Sequence, residues 1–374
     1  MNTPFGKLLE KSGFQKCFFI VVLSSALIGA VINIHAASLL VDHVWVSYLI
    51  GIAYAVLGVV SLLQNKIAEK YNNKKLEILI GFYSCFFIYN FMILVLGWVF
   101  LHLLPFSPHA QAIGVLLLDI LSIAVVLMGY LHAKKISCVS YSVHLGVKNA
   151  PYRIAMLSDI HLGVFVDEKH IRRMVDKVNR LNPDLIVICG DIIDVNNHIL
   201  EDNSSLERIG KLFCEMRAKD GVFAVVGNHD PNISNRAFQK FLSDAHITLL
   251  HNQVVRLPDF YLIGRTDPTH NERCPMEQLS KEISSDIPAV VLDHNPIGIS
   301  EAAEYGADLV LSGHTHKGQF VPVTYFTKLA NGKHFFYGYE QFGKTQAIIS
   351  SGAGYFQLPV RIGTDNEVVK IELL

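Results

Sequence analysis

Residues 307–316 read Ala307-Asp308-Leu309-Val310-Leu311-Ser312-Gly313-His314-Thr315-His316: a short β-type apolar run ending on a glycine and two histidines two positions apart. On a regular strand, residues i and i+2 point the same way. At a strand end that opens into a turn, both imidazoles can be aimed at one small volume, with Gly313 supplying the turn. Neutral imidazole is the commonest nitrogen ligand of transition metals. The pair therefore raises the question of where further ligands would come from.

Four other apolar runs end in the same way. Arg153–Leu157 is followed by Ser158-Asp159-Ile160-His161, and Asp184–Cys189 by Gly190-Asp191. Val222–Val226 is followed by Gly227-Asn228-His229-Asp230, and Ala289–Leu292 by Asp293-His294-Asn295. In open α/β sheets, ligands bind in the crevice beyond the carboxyl ends of the strands. Each of these endings has a plain structural explanation: Gly-Asp as a turn, Asn-His-Asp as a helix cap, a lone His as a satisfied surface group. Five together predict one shared metal site. The set Asp159, His161, Asp191, Asn228, His294, His314 and His316 is too large for one four-coordinate ion and suits two divalent ions sharing a bridging carboxylate. Oxygen and nitrogen ligands without thiolate favour manganese, zinc or iron over calcium, with manganese first.

The 374-residue chain is 51% hydrophobic and only 17% charged, with a net charge of −1 and a positive mean hydropathy. That is too apolar for one soluble enzyme, and it lacks the basic footprint of a nucleic-acid binder. The six cysteines include no Cys-x-x-Cys, which argues against a disulfide framework or a thiolate zinc site.

The apolar excess lies at the front. Four runs, Cys17–Val41, Val44–Leu63, Ile78–Leu104 and Ala110–His132, carry Asp119 as their one carboxylate. Each is long enough to cross about 30 Å of hydrocarbon as a helix. The lysines before residue 136 fall into three groups: Lys7, Lys11 and Lys16; Lys66, Lys70, Lys74 and Lys75; Lys134 and Lys135. The two other connections, around Asp42 and across Pro105–His109, carry no Lys or Arg. Basic loops stay cytoplasmic, so the N-terminus and everything after the fourth span are expected inside, at the inner (cytoplasmic) membrane. Asp119 is expected to play a structural part, paired with His35, Asn33 or Asn90.

Residues 1–135 therefore read as a four-span transmembrane domain, 136–150 as a linker and 151–374 as a soluble α/β domain. The five strands alternate with amphipathic helical patterns at Glu168–Leu181, Ser204–Arg217 (opened by capping-type serines) and Ser234–Ala245. Further strands are expected near 248–250, 254–257, 261–264, 347–350 and 368–373, and residues 317–345 read as irregular and aromatic. Such a pattern predicts a layered α/β fold with a mixed sheet or two stacked sheets.

Asp159-x-His161, Gly190-Asp191, Gly227-Asn228-His229-Asp230, His294 and Gly313-His314-Thr315-His316 resemble, in order, the signature blocks of the calcineurin-like metallophosphoesterases. The later stretch Ser351-Gly-Ala-Gly354 to Arg361 resembles the membrane-associated bacterial YkuE/YaeI-like branch, with Lys317 and Pro231 as departures. The resemblance implies a β-sandwich flanked by helices. It implies Asp159, His161 and His316 on a first ion, Asn228, His294 and His314 on a second, and Asp191 as the bridge. It also implies His229 beside the phosphate, oriented by Asp230. Two such cations lower the pKa of a shared water and orient phosphoryl oxygens for in-line attack, while His229 can serve as general acid. Asp194 is tempting as a further acid, but capping is the plainer reading.

The substrate is less legible. Tethering to the membrane raises the effective concentration of substrates in the same bilayer. Phe320, Tyr325, Phe326, Phe335, Phe336, Tyr337, Tyr339 and Phe342 could meet acyl chains or cover the sheet. Lys317, Arg172, Arg173, Arg265 and Lys328 could bind extra phosphates. The expected activity is a phosphohydrolase acting on a phosphodiester or pyrophosphate, in a lipid or lipid-linked nucleotide. A soluble nucleotide substrate, or a signalling protein with a vestigial domain, are the alternatives; the complete ligand set argues against the last.

Overall fold

The computed structural model describes residues 12–63, 67, 73–148, 150–194 and 198–374. Of the basic segments, Lys7, Lys11, Lys66 and Lys70 lie outside the described residues. Four helices, α1 (Ser12–Ser38), α2 (Val44–Leu62), α3 (Lys74–Leu103) and α4 (Pro108–Ala133), form one compact unit. All four are long and apolar enough to cross a membrane. Small residues allow close helix approach there: a Cβ on Gly58 would lie 2.8 Å from both Ala26 Cβ and the Phe87 ring. Asp119 takes one of its three expected partners. Fully buried Asn90 donates Nδ2 to Asp119 Oδ1 at 2.7 Å and accepts from Tyr54 Oη at 2.8 Å, which ties α2, α3 and α4 together.

The second unit is built on two six-stranded sheets. The first runs β1-β12-β2-β3-β4-β5 and the second β10-β11-β9-β8-β7-β6. Their strands are β1 (Ile136–Val143), β2 (Tyr152–Leu157), β3 (Leu185–Cys189), β4 (Val222–Val225), β5 (Ile247–Leu249), β6 (Gln253–Arg256), β7 (Tyr261–Arg265), β8 (Ala289–Asp293), β9 (Leu309–Ser312), β10 (Gly338–Phe342), β11 (Thr345–Ile349) and β12 (Asn366–Leu373). β2 to β5 are mutually parallel, as are β7, β8, β9 and β11; β12 runs antiparallel to β2.

The central strands are buried on both faces, so they read as continuous apolar runs. Ile154, Met156, Leu185 and Val187 point between the sheets, where they meet Leu262, Val290, Leu311 and Ile348. Ala155, Leu157, Ile186 and Ile188 point outward. They pack beneath α5 (Glu168–Arg180), α6 (Asn203–Phe213) and α7 (Arg236–Asp244) through Met174, Ile209 and Phe241. The outer face of the second sheet is covered by α8 (Met276–Ser280) and α9 (Ile299–Glu304). This is the helix-flanked sandwich expected from the resemblance.

Three local expectations change. The stretch 136–150, read as a linker, contains β1, paired in parallel with β12 from Ile136↔Asn366 to Val143↔Leu373. Residues 317–345, read as irregular, contain a further helix, α10 (Val323–Asn331), and β10. The helix over 203–213 is capped by Asp202, whose carboxylate accepts from Ser205 N, ahead of the serines expected to do so.

Candidate metal centre

The five strand ends meet at one edge. Asp159 and His161 follow β2, Asp191 follows β3, Asn228 and His229 follow β4, His294 follows β8, and His314 and His316 follow β9. Parallel strands deliver their carboxyl ends to the same side, and the two sheets face each other, so five loops surround one volume. Asp159, His161, Asp191, His314 and His316 all take left-handed backbone, with φ between 49° and 70°. For residues with a Cβ this costs on the order of 1 kcal/mol or more each, and it persists where surrounding structure enforces it. The loops enforce it on one another: Asp159 N donates to Gly190 O and His161 N to Asp191 O, both at 3.0 Å.

His161 Nε2 and His316 Nε2 lie 3.0 Å apart, with Asp159 Oδ1 3.4 Å from His316 Nε2 and Asp191 Oδ2 3.7 Å from His161 Nε2. On the other side, His294 Nε2 lies 3.2 Å from the same Asp191 Oδ2 and 3.0 Å from Asn228 Oδ1. His314 Nδ1 lies 2.8 Å from Asn228 Oδ1. Two groups able to hold an ion emerge, Asp159–His161–His316 and Asp159–Asp191–His294. Asp159 is common to both groups, and Asp191 Oδ2 faces both His294 and His161.

The far ring nitrogens are held so that the near ones can meet a cation. His294 Nδ1 lies 2.8 Å from the carbonyl oxygen of Cys189, which can only accept, so Nδ1 carries the proton. Its Nε2 faces two oxygens, Asp191 Oδ2 and Asn228 Oδ1; burial opposes a charge there, yet Asp191 and Asp159 raise the His294 pKa well above the imidazole range, so a proton fills the place a cation would take. His161 repeats the arrangement, with Nδ1 facing Asp194 Oδ1 at 3.4 Å and Nε2 facing another imidazole nitrogen. These nitrogens and oxygens converge closely enough for a divalent ion to replace the protons between them and turn each into a ligand. Carboxylate or carbonyl partners on the far nitrogen are the usual means of orienting metal-bound histidines.

Electrostatics favour charge on Asp191. Burial opposes ionisation of Asp191, yet the imidazoles of His294, His161 and His229 hold its carboxyl far below the usual range. Burial raises Asp159 and, with Asp191 beside it, pushes Asp230 up to about 7. Burial and His294 lower His314 to about 4. Burial, with His161 and Arg361 nearby, lowers His316 as well, so both imidazoles are neutral and able to bind a cation.

Two roles differ from expectation. Asp230 was expected to orient His229; its carboxylate instead accepts from Ile192 N, Ile193 N and Gly227 N at 2.8–2.9 Å. It braces the two loops that carry Asp191 and Asn228. His229 donates its backbone N–H to Asp191 Oδ1 at 2.9 Å, and its half-buried ring stacks on Phe356 at 4.7 Å. Asp194, read as a cap, is the side chain that faces His161 Nδ1.

The basic residues offered for phosphate are otherwise placed. Arg172 and Arg173 are exposed on α5, Arg172 paired with Glu215. Arg265 is buried and bound to Asp293 and Glu301; together with Arg273 it fixes the residue before His294. Lys317 places Nζ 4.0 Å above the Tyr337 ring, and Lys328 is exposed on α10.

Arg361 and Phe356 belong to the centre without having been singled out as site residues. Arg361 is fully buried and donates to the carbonyls of His316 at 2.9 Å, Ser351 at 2.8 Å and Gly354 at 2.5 Å. The available signal was one arginine inside an apolar, Gly- and Pro-bearing tail.

Gly313 matters through close approach. A Cβ there would stand 2.2 Å from Asp159 Oδ2 and 2.7 Å from Ser158 Oγ. Gly313→Ala should therefore displace Asp159 or the His314 loop and cost roughly 3 kcal/mol of stability or an equivalent loss of metal affinity. Thermal unfolding with and without added metal would measure it; wild-type behaviour in both would remove Gly313 from the design of the site.

Residues 152–318 match the family model for calcineurin-like phosphoesterases. Over these residues the chain thus carries a calcineurin-like phosphoesterase domain. It is 32% identical over 238 residues to an uncharacterized metallophosphoesterase of Helicobacter pylori, covering 62% of each chain. It is 32% identical to the Danio rerio transmembrane protein with metallophosphoesterase domain, covering 59% of this chain and 53% of that one. To YkuE of Bacillus subtilis, also an uncharacterized metallophosphoesterase, it is 27% identical over 59% of this chain and 79% of that one. The match thus spans only about three-fifths of the Helicobacter relative and about half of the zebrafish one.

Proposed function

We propose that this chain is a membrane-anchored dimetal phosphohydrolase that cleaves a phosphodiester or pyrophosphate bond, in a lipid or lipid-linked nucleotide. The observation that carries the reading is Asp191 Oδ2, 3.2 Å from His294 Nε2 and 3.7 Å from His161 Nε2, with both rings turned to it. In this reading Asp159, His161 and His316 hold one ion, Asn228, His294 and His314 the other, and Asp191 bridges. The lipid assignment is supported by the four helices of membrane length. The lysine distribution supports a cytoplasmic domain at the inner membrane.

The pair of divalent ions, manganese by preference, would supply Lewis acidity and an activated water. The protein's own residues do the rest. Asp159 and Asp191 set the negative charge of the centre, and Cys189 O and Asp194 fix the histidine rings. Phe356 lies against the rings of His229, His161 and His316, at 4.7, 5.2 and 6.2 Å, and keeps water from that side. The half-buried His229 imidazole makes no side-chain hydrogen bond among the described residues, which leaves it available to a substrate oxygen and able to give the leaving group a proton.

Stripping the full-length protein with a chelator should abolish hydrolysis of bis(p-nitrophenyl) phosphate, and Mn²⁺ should restore more activity than Zn²⁺ or Fe²⁺. His229→Ala should lower turnover about 100-fold while bound metal stays constant. Failure of all three ions to restore activity would sink the proposal, and loss of an ion from the His229 variant would make it a ligand.

A further inference from the structure

Among the described residues of the phosphoesterase unit, the exposed large hydrophobic ones are Val323, Tyr325, Phe326, Leu329 and Tyr339; four of the five sit on the nine-residue helix α10. The helix is inside out. Pro322, Tyr325, Phe326 and Leu329 follow the i, i+3, i+4, i+7 spacing of one apolar stripe, yet Tyr325, Phe326 and Leu329 are 68%, 56% and 60% exposed. The inward face is carried by Ala330, with half-buried Thr324, Thr327 and Asn331 beside it. A soluble surface helix places its apolar stripe inward; this one holds three large side chains away from the domain.

The helix is rooted in the metal centre. Gly318, two residues beyond His316, packs so closely on the first turn of α10 that a Cβ would lie 2.4 Å from Thr324 Cα. Gln319, between them, bonds both the N–H and the carbonyl of Phe356, the ring that covers the site histidines. The surrounding segment is basic: residues 317–345 contain Lys317, Lys328, Lys333 and Lys344 against Glu340 alone.

We propose that α10 is an interfacial helix. Its Tyr325–Phe326–Leu329 stripe enters the anionic phospholipid bilayer that the chain's own helices cross, and so presents headgroup phosphates to the metal centre. Three facts single out a bilayer as the occupant. The same chain carries four membrane-length helices. Only Lys134 and Lys135 separate the end of α4 from β1, a connection whose residues add at most about 7 Å. Apolar and aromatic side chains flanked by lysines are what anionic interfaces bind. The presentation of phosphates rests on the phosphohydrolase reading; the docking itself does not.

The test uses the full-length chain in nanodiscs of phosphatidylcholine and phosphatidylglycerol. A nitroxide is placed by Phe326→Cys or, as a water-exposed control on α8's flank, by Lys281→Cys, with Cys17, Cys138, Cys214 and Cys274 replaced by Ser. Burial of the stripe about 5–10 Å into the interface should raise the ratio of oxygen to nickel-chelate collisions at position 326 roughly tenfold over position 281. Equal ratios, or spin–spin broadening at 326 that reports a second copy on the stripe, would overturn the proposal. In a second arm, Tyr325→Ser/Phe326→Ser/Leu329→Ser should hydrolyse bis(p-nitrophenyl) phosphate within about twofold of wild type. It should act about tenfold more slowly on a lipid carrying a nitrophenyl phosphodiester headgroup in the same discs. An unchanged rate on that lipid also overturns it. A wild-type chain inactive on both substrates defeats the hydrolase reading alone, and the collision ratios still decide the docking.

Discussion

Asp191→Ala should lower kcat/KM for an aryl phosphodiester by about 10³-fold or more and leave fewer than two ions bound per chain. The size follows from position. One carboxylate oxygen faces both His294 and His161, while the other accepts the His229 backbone N–H. Removing it loosens both ions and the loop that presents the candidate general acid. Asp191→Asn separates charge from shape, since the amide keeps an acceptor oxygen but cannot balance two cations. Its activity should also fall steeply, with the fold and the His229 hydrogen bond retained. Full turnover with two ions bound in either variant would exclude Asp191 as the bridge. Elemental analysis and steady-state kinetics on the same preparations decide it.

The candidate site was legible because the residues that converge there sit at punctuation. Each central strand is buried on both faces and reads as an unbroken apolar run, so the first polar residue after it marks the sheet edge. RIAML then Ser-Asp-Ile-His, and LVLS then Gly-His-Thr-His, say as much about topology as about chemistry. What failed to show was whatever depends on distant partners. β1, Ile-Ser-Cys-Val-Ser-Tyr-Ser-Val, alternates weakly and directly follows a helix end; it becomes a strand because β12 pairs with it from more than 200 residues away. α10 was hidden because its stripe faces outward, so no core position announces it. The sequence also assigned Asp230 to the wrong neighbour. Next to His229 in the chain, it turns its carboxylate to the backbone of two loops, where three N–H groups would otherwise be buried without acceptors.

Arg361 is the strongest case of the same limit, because its partners are mostly main-chain carbonyls, which leave no mark in a sequence. Its guanidinium is fully buried, and burial pulls its pKa down to about 10. Five N–H donors in a fixed fork suit the carbonyls of His316, Ser351 and Gly354 and the side chain of Asn366. Arg361→Met fills similar space but leaves the Ser351, Gly354 and Asn366 oxygens without these donors, each costing about 1–3 kcal/mol, while His316 O keeps the Gln319 N–H at 2.8 Å. The variant should lose at least roughly 3 kcal/mol of stability. The left-handed turn at His316, which Arg361 holds through the carbonyl oxygen, should relax first. Metal loss should then be selective: the ion assigned to Asp159, His161 and His316 should weaken, while the one assigned to Asn228, His294 and His314 remains. Arg361→Lys keeps the charge without the fork and should recover stability only in part. Equal loss of both ions, or full recovery with lysine, would mean that Arg361 acts through general packing or charge and not by setting the His316 turn.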